Sequence, residues 1–217
     1  MKLHVITTAF RRPIELIRLC YDFILQSNPN WEMRIIHDGP PPVGLEEFVE
    51  SLSDKRIELD YTKVINGFWG HVNRRMMLQE TEGDSLDYVL ITNDDNQYIQ
   101  VFWDEFAKVG GVDVGFIYCD MLHNYWWCAN DRCDQDLWDK SGKRKRNVGS
   151  YNLMRTALSV GRLDMGCFVV RLHIARAVGF NHIVNEADGI YPEDCAAECR
   201  RRGLRIVKIN KPLFIHN

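Results

Sequence analysis

Near the middle of the chain the run Tyr88-Val89-Leu90-Ile91-Thr92 ends in Asn93-Asp94-Asp95-Asn96. Two adjacent carboxylates repel each other unless a cation lies between or near them. Hard divalent ions such as Mg²⁺ and Mn²⁺ take oxygen ligands of this kind, often one or two carboxylates plus substrate phosphates. The competing reading is a strand followed by an Asp/Asn-rich turn, which both residue types favour. Three further places carry residues able to do chemistry. Thr7, Thr8 and Phe10 close the first apolar run, and His37, Asp38 and Gly39 close the second. Glu193 and Asp194 follow Pro192 at the head of a helical pattern. A ring and a carboxylate, such as Phe10 and Asp38, can hold a nucleobase by stacking and by accepting an imino N–H.

The elements that would position these residues follow from periodicity and punctuation. Strands are expected at 2–8, 31–37, 56–61 and the segment ending at Asp94-Asp95, with helices at 14–26, 45–52 and 69–80 between them. A helix at 99–109 and a strand at 112–119 follow, then an irregular stretch over 120–162. The remainder reads as a strand at 163–170, helices at 173–178 and 192–202, and strands at 204–209 and 213–215. Pro192 near the first position, acids in the first turn, arginines in the last and Gly203 beyond mark the late helix. The alternation implies an α/β class: a single domain with a mostly parallel central sheet and helices on both faces. Ligands in such sheets gather at the carboxyl ends of the strands, where Thr8, Phe10, Asp38, Asp94 and Asp95 all fall. Neither G-x-G-x-x-G nor G-x-x-x-x-G-K-[ST] occurs, so a nucleotide here would be held through metal and carboxylates rather than a glycine cradle.

The 217 residues are 46% hydrophobic and 26% charged, which suits one large core. A net charge of −3 gives no basic face, so nucleic acid is not an expected partner. No apolar run reaches transmembrane length, and residues 1–8 enter a strand without a signal-peptide pattern. The seven cysteines are scattered, and Cys128 and Cys133 fit no strong zinc spacing. A reduced thiol set and a cytoplasmic location, either free or peripheral to a membrane, are the expectation.

Thr7-Thr8-Ala9-Phe10-Arg11-Arg12-Pro13 resembles the amino-terminal "T-x-Y-N-R-P" stretch of family-two glycosyltransferases of GT-A fold. The segment from Trp31 to Gly39 resembles their "w-E-l-i-v-v-D-D-G", and Asn66-Gly67 with Asn73-Arg74 their "N-x-G…A-R-N". Asn93-Asp94-Asp95 stands where they carry the DxD motif, and Glu193-Asp194 where they carry an "E-D" doublet. The order matches across nearly the whole chain. The resemblance implies one GT-A domain over 1–217, with a nucleotide-binding half at 1–119 and an acceptor-side half at 120–217. It implies a metal-dependent, inverting transfer of a sugar from a UDP-sugar to a glycan, lipid-linked or other hydroxyl acceptor. Thr8, Phe10, Asp38, Asn66, Arg74 and Asp94 would hold the nucleotide sugar. Asp95 and the late His216 would ligate Mn²⁺ or Mg²⁺. Asp194 would be the general base, with Glu193 facing a sugar and Asp188 and Glu186 as rival bases.

Departures from the pattern bear on the donor more than on the fold. Phe10 replaces a tyrosine, His37 replaces the first acid of the strand-two doublet, and His71-Val72-Asn73 displaces the usual arginine to Arg74. Tyr125-Trp126-Trp127 offers either an acceptor platform, since Trp stacks on sugar faces, or a satellite core. Lys143 to Arg146 is either a solvated loop or a lid over the diphosphate, and Asp164 ahead of Met165-Gly166 is a further acceptor-side candidate. The rival functions are a sugar nucleotidyltransferase and a non-catalytic nucleotide-sugar-binding module.

Overall fold

The computed structural model describes residues 1–123, 151–182, 184 and 187–216. Strands β1 (Leu3–Ala9), β2 (Trp31–His37), β3 (Ile57–Tyr61) and β4 (Tyr88–Asn93) pair in parallel in the order β3-β2-β1-β4. Helices α1 (Pro13–Ile24), α2 (Leu45–Ser51) and α3 (His71–Glu80) make the crossovers. All of β1 is buried, as a strand covered by helices on both faces must be. Pro13 opens α1, where its fixed φ is pre-set and its missing N–H is not needed. Leu16, Leu19, Cys20 and Phe23 then form the buried stripe of that helix.

After β4 the chain makes β5 (Gln97–Tyr98), α4 (Phe102–Val109), β6 (Val114–His123) and β7 (Asn152–Met154). It continues through β8 (Phe168–Arg171), α5 (Leu172–Val178), α6 (Ala187–Arg201) and β9 (Arg205–His216). One nine-stranded sheet results, ordered β3-β2-β1-β4-β8-β6-β9-β5, with β7 pairing with Met121 to His123 of β6, beyond the stretch that pairs with β8. β8 runs antiparallel to both of its neighbours, β4 and β6. β1 to β4, β6 and β9 share one direction, so the sheet is mixed but mostly parallel. This is the single α/β domain that the alternation of elements implies.

The second half departs from the sequence expectation in instructive ways. The stretch expected as a strand at 163–170 begins with a 3₁₀ turn, Met165–Cys167, because the Asp164 carboxylate accepts the Gly166 N–H at 2.8 Å. Gly166 is there for packing: a Cβ would lie 2.5 Å from the Phe214 ring. The two closing strands are one strand, β9, and Pro212 falls at a register irregularity where its missing N–H is tolerated. The late helix starts at Ala187, not at 192, so Pro192 lies inside it and cannot donate to the Asp188 carbonyl. Asp188, rather than Glu193 and Asp194, therefore occupies its first turn. The five cysteines among the described residues are free and buried. No helix among the described residues is long and apolar enough to cross a membrane.

Candidate active site

A cleft of about 390 Å³ opens at the carboxyl ends of β1, β2 and β4, where Thr8, Phe10, Asp38, Asn93 and Asp94 line it together with Asp188. Parallel register explains the convergence: Thr8 lies opposite Asn93 on one side and Ile36 on the other, so consecutive strand ends stop at one level.

Asp38 is buried and fully committed to the loop beyond β3. One carboxylate oxygen accepts the Asn66 N–H at 2.8 Å and the Asn73 amide at 3.2 Å; the other accepts the Gly67 N–H at 3.0 Å. The Asn66 side chain donates to the Asn73 side-chain oxygen, Oδ1, at 2.7 Å. Asp38, Asn66 and Asn73 thus act together as a clamp on the turn that follows. That turn, Gly67 to Gly70, has φ of +70°, +50°, +52° and +78° at its four residues. A left-handed conformation at Phe68 and Trp69 costs on the order of 1–3 kcal/mol each and persists only where neighbours over-determine it. Here the neighbours are Asp38, the buried Arg74, which donates to the Trp69 carbonyl at 2.9 Å, and Thr8, whose Oγ1 would lie 2.5 Å from a Cβ at Gly70.

Arg74 is the buried cation at the floor of the cleft. It also donates to His71 Nδ1 at 2.8 Å and to the Asn93 side-chain oxygen. His71 is pushed down to about 4 by burial and by the Arg74 charge, so its ring is neutral and can accept that bond. All three Arg74 acceptors are uncharged, and Nε has no hydrogen-bond partner among the described residues. The guanidinium charge is balanced at longer range by Asp188, Asp94, Asp164 and Asp95.

Asp94 accepts the Phe10 N–H at 3.0 Å, and burial pushes it up to about 6, with the Asp95 charge adding to the rise. The half-exposed Arg12 guanidinium pairs with Asp95 and reaches Asp94 at 3.5 Å. Hard oxygen donors in this number suit a divalent ion that takes its other ligands from a diphosphate. The positive group beside Asp95 in the structure is Arg12, which a metal would have to displace. His216 ends β9 and faces Asp164, Nε2 to Oδ2, at 3.3 Å, with the His123 ring 4.6 Å away. No group of three or more His, Cys, Asp or Glu side chains in a metal-holding arrangement occurs among the described residues. His216 and Asp95 are therefore not gathered into such a group.

Asp188 lines the cleft from the first turn of α6. Burial pushes it up to about 6; Arg74 pulls the other way, and Asp164 adds to the rise. Its Oδ1 is buried without a hydrogen-bond partner among the described residues. Asp194 is placed differently: it is half-exposed in mid-helix and faces His182, Oδ2 to Nε2, at 3.0 Å. Glu193 accepts the Val160 N–H at 2.7 Å. Neither lines the cleft as Asp188 does. Trp126, Trp127, the basic run 143–146 and Glu186 lie outside the described residues. Sequence reasoning gave no role to Arg12, Trp69 or His71, all of which line the cleft. The signal for Trp69 was present in Gly67-Phe68-Trp69-Gly70, an aromatic pair bracketed by turn residues.

No family model matches the sequence, and no curated protein is similar to it. Solved structures are similar over the whole fold. TarS 1-349 of S. aureus in complex with UDP-GlcNAc superposes with a TM-score of 0.69 at 14% identity, over 100% of this chain and 58% of that one. The mannosyltransferase PcManGT of Pyrobaculum calidifontis, in complex with GDP-Man and Mn²⁺, gives 0.64 at 13% identity, over 99% and 56%. A 4-diphosphocytidyl-2C-methyl-D-erythritol synthase gives 0.54 at 11% identity, over 96% and 88%. The chain thus spans less than two thirds of the first two of these chains. The chain shares the GT-A, Rossmann-like fold of these structures.

Proposed function

We propose that the protein is a glycosyltransferase that moves a sugar from a UDP-sugar to a hydroxyl of a glycan or lipid-linked acceptor. The observation that carries this reading is the convergence in one cleft of a clamped loop, a buried guanidinium, the Asp94 carboxyl and a second buried carboxyl, Asp188, with an oxygen unpartnered among the described residues. Phe10 and Thr8 would flank the base, and the Asp38 clamp would shape the wall beside it. Arg74 and Arg12 would lie near the diphosphate. Mn²⁺ or Mg²⁺ held by Asp95, with Asp94 beside it, would offset the charge on the departing nucleoside diphosphate as a Lewis acid. Residues 1–119 would hold the donor, and 120–217 would supply the acceptor side.

Asp188 is the better candidate for the base than Asp194. A general base needs an oxygen within hydrogen-bond reach of the proton it takes and a pKa near the working pH. Asp188 lines the cleft and keeps an oxygen with no hydrogen-bond partner among the described residues, whereas Asp194 is half-exposed and faces His182. In a single displacement the acceptor oxygen bonds the anomeric carbon as the bond to the diphosphate oxygen breaks. The hydroxyl proton passes to Asp188, the diphosphate leaves with the electron pair, and configuration inverts. The test is incubation with a panel of UDP-sugars and GDP-mannose, with and without Mn²⁺, against mixed glycan and lipid acceptors, read by mass spectrometry. A glycosylated product with release of nucleoside diphosphate supports the reading. Release of pyrophosphate from a nucleoside triphosphate and a sugar phosphate would assign the nucleotidyltransferase chemistry instead. Nucleotide-sugar binding with no turnover would leave a binding module.

A further inference from the structure

Trp69 is an exposed indole at the rim of the cleft, and the backbone that presents it is unusual. Four successive left-handed residues place Phe68 and Trp69 outward, 54% and 63% exposed. A loop that bent this way to gain packing would bury those rings; this one is clamped by Asp38 and Arg74 and leaves both rings in solvent. Large exposed aromatics beside a cavity mark a binding surface more often than a structural one. The Trp69 ring lies 6.0 Å from His71, whose ring is 5.2 Å from Phe180, itself 4.9 Å from Tyr191 of α6. Trp69 and His71 line the same cleft as Asn93 and Asp188.

We infer that Trp69 is the stacking platform for a pyranose ring whose hydroxyls face Asp188 and Asn93. A pyranose has an apolar C–H face and a polar edge. An indole face suits the first, and carboxylate and amide oxygens accept hydrogen bonds from the second. Phe68, exposed beside it, extends the apolar rim. The choice of a saccharide rests on the transferase reading, and the ring could belong to the donor or the acceptor.

The test uses saturation-transfer NMR with the methyl glycosides of glucose, mannose and N-acetylglucosamine, and calorimetry with UDP and UDP-sugars, on wild type, Trp69→Ala and Trp69→Phe. Both variants keep the backbone carbonyl that Arg74 uses, and unchanged thermal melting checks their fold. Wild type is expected to saturate glycoside ring protons; Trp69→Ala should lose that signal at least fivefold, and Trp69→Phe should retain most of it. If the ring is the donor's, Trp69→Ala removes the extra affinity of UDP-sugar over UDP. If it is the acceptor's, UDP-sugar binding holds and glycoside saturation alone is lost. Equal weakening of UDP and UDP-sugar would overturn the inference, assigning Trp69 to the nucleobase. Unchanged glycoside and UDP-sugar binding, or no saccharide signal in any wild-type experiment, would overturn it as well. Glycoside binding lost in Trp69→Ala by a protein that binds no nucleotide would sustain the inference while rejecting the transferase reading.

Discussion

The Arg12 guanidinium forms an ion pair with the Asp95 carboxylate at the mouth of β4, on the side where a diphosphate and its counter-ion would lie. Arg12 is about half exposed, so the pair is screened and weak, roughly 0.2–1 kcal/mol. A divalent ion binding Asp95 must break it. Arg12→Ala removes that competitor, and the apparent Kd for Mn²⁺ in the presence of UDP should fall about two- to fivefold, consistent with that energy. Calorimetric titration of Mn²⁺ into each protein measures it. A weaker Mn²⁺ affinity in the variant would mean that Arg12 helps hold the diphosphate rather than competing for the carboxylate.

Asp188 and Asp194 make opposite predictions although they lie on the same helix. Asp188→Asn should lower kcat by about 10²–10⁴, the range for loss of a general base, while UDP-sugar affinity changes little. Asp194→Asn should leave turnover within a fewfold of wild type, since its carboxylate faces His182 at the surface. The base must be ionised to act, and burial pushes Asp188 up to about 6. Wild-type kcat should therefore rise with pH to near 6 and then level. A kcat profile flat from pH 5 to 8, or the larger loss in Asp194→Asn, would return the role to Asp194.

Much of this cleft was legible in the sequence. The alternation of apolar runs with helical stripes put Thr8, Phe10, Asp38, Asp94 and Asp95 at one set of strand ends, because a parallel ladder leaves no other place for them. What could not be read was anything set by tertiary contact. Pro192 looked like a helix start, yet α6 begins at Ala187, which moves the first-turn carboxylate from Asp194 to Asp188. The left-handed run at Phe68 and Trp69 depends on Asp38 and Arg74, each distant in sequence from part of what it holds, and local propensity argues against it. β5 is only two residues, Gln97 and Tyr98, and exists because β9 offers an edge to pair with.

Burial also sets the pH dependence of stability. Asp22 accepts the Tyr98 N–H at 2.8 Å, and burial raises it to about 6 despite that bond and the Arg18 charge. A carboxyl raised on folding contributes stability that is fully present below its unfolded pKa, near 4, and is lost as pH rises through about 6. Asp22→Asn keeps a carbonyl that can accept from Tyr98 and removes the titration. The melting temperature of wild type relative to the variant should fall as pH goes from 4 to 7, as measured by scanning calorimetry. An unchanged difference across that range would show that Asp22 titrates alike in the folded and unfolded chains.

Asp38→Ala addresses the clamp itself. The substitution strips the acceptor from two loop N–H groups, Asn66 and Gly67, and from the Asn73 amide. Leaving a buried donor unsatisfied costs about 1–3 kcal/mol, and the left-handed turn that Asp38 holds is already strained. The protein can lose these bonds in two ways: by unfolding more easily as a whole, or by letting residues 66–70 relax. Relaxation is the expected course, because the loop is partly exposed while the β1–β2–β4 ladder around it does not depend on Asp38. Global stability should then fall by no more than about 2 kcal/mol, within the cost of releasing the donors to water. Hydrogen exchange at Asn66, Gly67 and Gly70 should accelerate more than tenfold, and UDP affinity should drop by a similar factor as the wall beside Thr8 is lost. Asp38→Asn should be intermediate, since its amide keeps one oxygen for one N–H and turns a donor towards the other. Exchange left unchanged at Gly67 in Asp38→Ala would mean that Arg74 and the packing of Gly70 against Thr8 suffice to hold the turn.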